Sequence, residues 1–363
     1  MKRYAPERRD AAGAAATPAP GATPAASTDD PAPVGVTILV RELASGRDTT
    51  FGNVSEFAWQ SVSQPSNLKG RLLALIVSAE DKIGNGVHVY DAAAGSHHVL
   101  DSSASVYSGL SWRRDSDDLV VLRGQTDEQR DGSTHRALAW TGVASPSPKL
   151  TTLDPTKEGA IPAGMRTVSF RRSSWSDDGR SIFLGLAPWE EKPATTTKPA
   201  PPADAPAASP PADAAPADET PSVDIWHAKD VDVMPRQKLS AATDRRRNLL
   251  AVWHLADGRL VQLGTEDREQ VTPVRRQRFA LVANWTPYAM NRSIGRPSAD
   301  ISLVDLSTGA RTKVARRIDD GHLSVSQGGR YLLYLQNDHY RTIDTRTRAV
   351  ANITKCHGCF HRP

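Results

Sequence analysis

Cys356 and Cys359 have the spacing of a redox pair or of two metal ligands, and His357 and His361 stand beside them. A structural zinc site takes four such ligands from two anchored elements. Here all the candidates fall within residues 356–363, which read as a tail. Haem attachment needs a histidine directly after the second cysteine, and Phe360 holds that place. Glu190 and Glu191 follow Trp189 as adjacent carboxylates, a pair able to neutralise an ammonium group; a solvated loop is the plainer reading. Asp115, Asp117 and Asp118 gather oxygens on one segment, but no glycine and glutamate follow at calcium-loop spacing, so a polar turn is expected. His97 and His98 fall in a hairpin, where a turn is the simpler role than a metal site. Gly109-Leu-Ser111-Trp-Arg113 has the first half of a nucleophile elbow but ends in arginine, which makes Ser111 a strand residue. No Gly-x-Ser-x-Gly, His-Glu-x-x-His or phosphate-binding glycine loop occurs. The residues thus nominate no catalytic, cofactor-binding or metal site.

The segments that would position such groups follow a repeated pattern. A β-rich run ends in Asp, passes through small residues and a Gly, and returns as a second run. Val87–Asp91 leads through Gly95 to Leu100, Ile301–Asp305 through Gly309 to Val314, and Leu250–Gly258 to Leu263. Tyr340–Asp344 leads through Arg348 to Ile353. Asp and Gly supply the turn conformation of a hairpin. These hairpins alternate with a second unit, a short strand, a polar turn and an apolar strand. Its copies are Leu110–Leu122, Ser174–Gly185 and Ser324–Leu335. Joined, the two give about four strands over roughly 40 residues, the period of propeller blades. The expected fold is all-β, a β-propeller of four-stranded blades, preferred over a sandwich and possible as an incomplete ring. About 290 ordered residues suggest six to seven blades' worth of chain. Met234–Arg247 is the best helical candidate, with Pro235 against it.

Residues 1–33 and 192–221 are Ala/Pro-rich without hydrophobic periodicity and are expected to be a disordered arm and a flexible insertion in a propeller of residues 34–355. The 363 residues carry 45 basic and 41 acidic side chains, a formal charge of +4, and 39% hydrophobic residues with mean hydropathy -0.45. That mixed surface does not point to nucleic acid. No apolar run approaches the roughly 20 residues of a membrane span. Two cysteines exclude a disulfide framework. The basic start, MKRYAPERRD, lacks the apolar stretch of an export signal. Trp59, Trp112, Trp175 and Trp285 lie in strand contexts and are expected to pack between blades.

The Trp-Ser-x-Asp-Gly units resemble those of TolB-like propellers. Four segments in order resemble more specifically the amino-terminal propeller of bacterial prolyl oligopeptidase-like serine peptidases: Phe51–Trp59, Ala79–Gly86, Trp175–Gly179 and Val223–Asp230. The likeness covers about residues 36–355. It implies a propeller that gates peptide access to an α/β-hydrolase domain bearing Ser, Asp and His, in an exported enzyme of the periplasm or extracellular space. It also gives Glu190-Glu191 a model, the paired propeller glutamates that hold a substrate amino terminus in dipeptidyl-peptidase relatives. Trp226-His227-x-x-Asp230 is expected to pin the chain where it re-enters the propeller. No hydrolase motif stands in these residues, and a truncation or frameshift is the expected explanation. The expected partners are a peptide substrate or the hydrolase domain, with a stand-alone propeller scaffold as the alternative.

Overall fold

The computed structural model describes residues 34–63, 70–80, 82–127, 129–191, 230–232, 234–266, 268–274, 278–294, 297–319 and 323–354. The arm, the insertion, Trp226, His227 and the Cys356–Cys359 tail lie outside them. Among the described residues five antiparallel sheets of four or five strands follow one another along the chain, and two short strands pair as a sixth. The first holds β1 (Val36–Arg41), β2 (Asp48–Trp59), β3 (Leu72–Val77), β4 (Gly86–Asp91) and β5 (Ser96–Ser102). The second holds β6 (Tyr107–Trp112), β7 (Leu119–Thr126), β9 (Ser133–Thr141) and β10 (Lys149–Leu153), with the short β8 (Arg130–Asp131) before β9. In the third, β11 (Met165–Val168) and β12 (Ser174–Trp175) both pair with β13 (Ser181–Pro188). There β14 (Glu190–Glu191) and helix α1 (Met234–Asp244) precede β15 (Leu249–His254) and β16 (Leu260–Gln262). The fourth is β17 (Glu269–Pro273), β18 (Phe279–Asn284), β19 (Ser298–Asp305) and β20 (Arg311–Asp319). The fifth is β21 (Ser324–Val325), β22 (Tyr331–Gln336), β23 (His339–Asp344) and β24 (Val350–Asn352).

Among the described residues five blades stand, as an incomplete propeller would leave them. Between the blade strands lie helix α1 and the 3-10 turns between Thr286 and Ile294.

The blade middles read as unbroken apolar runs because they are buried on both faces. Leu119 and Val121 of β7 pack with Leu72, Ala74 and Ile76 of the first blade. Val120 and Leu122 pack with Ile182, Leu184 and Trp253 of the third. Phe183, Leu250 and Val252 meet Ala280, Val282 and Val304 of the fourth, whose Leu281 and Leu303 meet Leu332 and Tyr334 of the fifth. Fully burying one such side chain stabilises by about 1.5–3 kcal/mol.

The repeated Asp closes the outer hairpin of a blade. Asp305 Oδ1 accepts the backbone N–H groups of Ser307 (2.9 Å) and Thr308 (3.2 Å). Asp91 does the same for Ala93 and Ala94, and Asp344 for Arg346 and Thr347. Gly95, Gly258 and Gly309 follow at φ 65°, 71° and 73°, while the fourth copy sets Arg348 at φ 62°. The residue before the second strand of the blade supplies an ion pair: Arg71–Asp91, Arg278–Asp305 and Arg330–Asp344.

The tryptophans tie blades together. Trp112 Nε1 donates to the carbonyl of Ala58 (2.9 Å), and Trp175 Nε1 to that of Ser111 (3.0 Å). Each indole thus bonds the inner strand of the preceding blade, one residue before the tryptophan position there. Trp112 is 8% exposed, but Trp59 is 39% exposed, which corrects the expectation that it is packed between blades. Its side of the first blade has no neighbouring sheet among the described residues to cover it.

Candidate functional site

In an antiparallel blade, alternate connections leave from the same end. The connections between the third and fourth strands of the blades are compact turns, and those between the first and second are short except for residues 60–71 of the first blade. The connections between the second and third strands carry the additions: β8, the β14–α1 segment, and the 3-10 turns. These additions share one rim. Residues β8 and β14, from two blades, pair as a ribbon, with Glu190 opposite Asp131 and Glu191 opposite Arg130. Glu190 and Glu191 are therefore strand residues with exposed side chains, rather than loop residues. The ring of Trp189 lies under the guanidinium groups of Arg130 (5.2 Å) and Arg166 (5.7 Å), a cation–π arrangement beside the two carboxylates.

Farther along the same rim lies a cavity of about 690 Å³ between the third and fourth blades. Trp285, Tyr288 and Pro297 give it apolar walls, and Asp244, Arg247 and Arg268 give it charge. Helix α1 forms with Pro235 in its first turn, where a missing N–H is tolerated. Its end is fixed by Arg247, which donates twice to Asp244 Oδ1 (3.0 and 2.6 Å). Ser240 and then Arg247 hold the Asp244 carboxyl below its usual range, against the opposing effect of burial. Glu269, beneath the cavity, is also held low: burial opposes its ionisation, but the Arg311 guanidinium (2.5 Å) and the N–H of Thr265 outweigh it.

On the inner strands, Glu56 Oε2 accepts the N–H of Gly109 (2.7 Å). Burial pushes this carboxyl up, and the Gly109 N–H and the Arg172 charge only partly offset that.

The opposite rim has a cavity of about 900 Å³ at the turns of the third and fourth blades, lined by Trp175, Arg180, Ser181 and His254 among others. His254 stands where three other blades have the turn Asp. Ser181 Oγ lies 2.9 Å from its Nδ1, and the Leu306 carbonyl 3.0 Å from its Nε2. A serine and a histidine 73 residues apart could not be matched in the sequence. The group orienting the imidazole is a backbone carbonyl, and the Ser181 N–H is occupied by Ser176 Oγ (3.0 Å). The arrangement joins two blades, and it presents no oxyanion donor at Ser181.

The other sequence candidates sit apart. Ser111 is in β6, and its carbonyl receives Trp175. Asp115 receives the N–H of Ser63 (2.6 Å), Asp117 that of Ala144 (3.0 Å), and Asp118 that of Gly142 (3.0 Å). They sit in a polar turn, as expected, but each accepts from another connection, 24 to 52 residues away in sequence. His97 Nε2 lies 2.9 Å from His88 Nδ1, a cross-strand contact that the sequence did not suggest. No group of three or more His, Cys, Asp or Glu side chains able to hold a metal ion occurs among the described residues. No helix there is long and apolar enough to cross a membrane.

No protein-family model matches the chain, and no curated protein matches it. Solved structures do. A prolyl endopeptidase is 14% identical with TM-score 0.37, covering 88% of this chain and 39% of its own. TolB from Acinetobacter baumannii is 10% identical with TM-score 0.30, covering 87% and 59%. The tricorn protease is 10% identical with TM-score 0.34, covering 86% and 28%. The chain thus spans well under two thirds of each of these proteins. Among the described residues it is an open arc of β-propeller blades, similar to solved structures that include a prolyl endopeptidase and TolB.

Proposed function

We propose that this chain is the substrate-gating propeller portion of a prolyl oligopeptidase-like serine peptidase, with the hydrolytic Ser, Asp and His supplied by sequence outside these 363 residues. The observation that carries the reading is the asymmetry of the rims. Loops on a rigid scaffold are where binding residues concentrate, and β8, β14, α1 and the 3-10 turns all fall on one rim, with Trp189, Glu190, Glu191 and the Trp285–Tyr288 cavity. The ordered sequence segments that resemble the peptidase propellers support it. Aromatic walls with exposed carboxylates suit an extended peptide with a free amino terminus. In this role the rim admits and orients a flexible chain and excludes a folded one. Export to the periplasm or beyond belongs to the same reading.

The test is direct. The purified chain should not hydrolyse proline-containing chromogenic peptides, but should bind labelled extended peptides. Glu190→Lys with Glu191→Lys, or Trp285→Ala, should weaken that binding. Hydrolysis abolished by a serine-directed inhibitor, or binding indifferent to these rim changes, would overturn the proposal.

A further inference from the structure

β1 and the first half of β2 form a hairpin with the turn of an outer blade hairpin. Gly46 N–H donates to Glu42 O at 2.8 Å, as Gly309 does to Asp305 and Gly95 to Asp91, each also at 2.8 Å. Glu42 N–H donates to Arg47 O (2.9 Å), as Asp305 N–H does to Ala310 O (3.0 Å). Gly46 has φ 73°, the same as Gly309. Glu42 occupies the position of the turn Asp. In β2 the register breaks between Val54 and Glu56, and Asn53 has φ 55°. Up to this point β2 pairs with β1, and beyond it with β3. The strand therefore serves two blades. Its second half is the inner strand of the first blade, while its first half, with β1, is the outer half of another.

Among the described residues that outer half has no inner pair. β1 is an edge strand, with Val36 and Leu39 exposed at 41% and 49%. Trp59 fits the same account. Trp112 and Trp175 each bond an inner-strand carbonyl of the preceding blade, whereas Trp59 has no such partner among the described residues. An exposed apolar edge of this kind is a template for strand addition.

We infer that the β1 edge and Trp59 together form a docking surface for an antiparallel β-hairpin, the inner strand pair of a blade. The other blades specify its chemistry. Its first strand offers a backbone carbonyl to the Trp59 indole. Its second strand begins with a basic residue facing Glu42, as Arg71, Arg278 and Arg330 face Asp91, Asp305 and Asp344. That strand then continues with an apolar run that hydrogen-bonds to β1. This surface is independent of the gating proposal, since it lies at the end of the arc and involves no residue of the rim that carries β8, β14 and α1.

The probe is a labelled synthetic peptide of residues 172–188, an inner hairpin of this chain carrying Arg180 before its second strand. Titrated into the full chain, it should bind saturably at one equivalent and slow amide exchange in residues 36–41. Val36→Lys with Leu39→Lys should abolish binding, and Trp59→Ala should weaken it about tenfold, since one buried bond and ring contact are worth about 1.4 kcal/mol. Both sites are exposed, so the variants should melt like the parent. Glu42→Arg should weaken binding, and a peptide with Arg180→Glu should restore it. No binding, or binding without protection of residues 36–41 or without the charge-swap rescue, would overturn the inference. A dimer dissolved by the lysine variant, with no peptide binding, would overturn it in favour of edge-to-edge pairing of two copies.

Discussion

Trp112 and Trp253 offer a matched pair of substitutions that isolates the inter-blade hydrogen bond. Both side chains are buried, at 8% and 0% exposure. Trp112 Nε1 is bonded to Ala58 O, whereas Trp253 Nε1 is buried without a partner. Replacement by Phe removes two ring carbons from the core at either site, worth about 1.6 kcal/mol at roughly 0.8 kcal/mol per carbon. At Trp112 the change also removes a hydrogen bond worth about 1 kcal/mol and leaves the Ala58 carbonyl unpaired, a further penalty of about 1 kcal/mol or more. At Trp253 it removes an unsatisfied N–H, which returns about 1–2 kcal/mol. Trp112→Phe should therefore destabilise by about 3–4 kcal/mol, and Trp253→Phe by about 1 kcal/mol or less. Urea unfolding read by both fluorescence and circular dichroism gives the difference, provided the two transitions coincide and the slopes agree. Equal losses at the two sites would refute the reasoning, because bulk alone would then explain both.

Three further outcomes follow from the same geometry. Glu56 has a raised folded pKa, caused first by burial, so its contribution is fully present below the unfolded glutamate value and is lost as pH rises through the folded one. Glu56→Gln keeps an acceptor for Gly109 and should be as stable as the parent or more so at neutral pH, with a flatter stability profile in mild acid. A Gln variant markedly weaker at pH 7 would contradict this. Asp305 has a lowered pKa: burial opposes ionisation, but the Ser307 hydroxyl and the N–H groups of Ser307 and Thr308 outweigh it. Its contribution is present above the unfolded Asp value and is lost as pH falls through the lower folded one, so Asp305→Ala should narrow the stability gap to the parent in strong acid. Arg348 sits at φ 62° where three sister turns have glycine. Arg348→Gly should raise stability by up to about 1 kcal/mol in thermal melts, with Gly309→Ala lowering it by at least as much.

Much of the fold was legible because the blade repeats its local chemistry. The turn Asp marks the outer hairpin at Asp91, Asp305 and Asp344, followed by Gly in the first two, since a short carboxylate accepting two turn N–H groups is a property of a few consecutive residues. The unbroken runs at Leu72–Val77 and Leu119–Leu122 carried the double-sided burial. Even helix α1 was within reach, because Pro235 is acceptable in a first turn. The double use of β2 was not, because a strand that serves two blades looks like any other strand in a sequence pattern.

The candidate site was legible only in its parts. The sequence alone determined the strand grammar, the polar turn at Asp115 to Asp118, and the adjacency of Trp189 with Glu190 and Glu191. Tertiary structure decided what lies beside what. It paired Glu190 with Asp131 across two blades, set Arg130 and Arg166 over Trp189, joined Ser181 to His254, and gave Trp112 and Trp175 an acceptor while leaving Trp59 open. Turn chemistry is set by neighbours along the chain, whereas these contacts depend on how successive sheets stack, and stacking is fixed by surfaces distant in sequence.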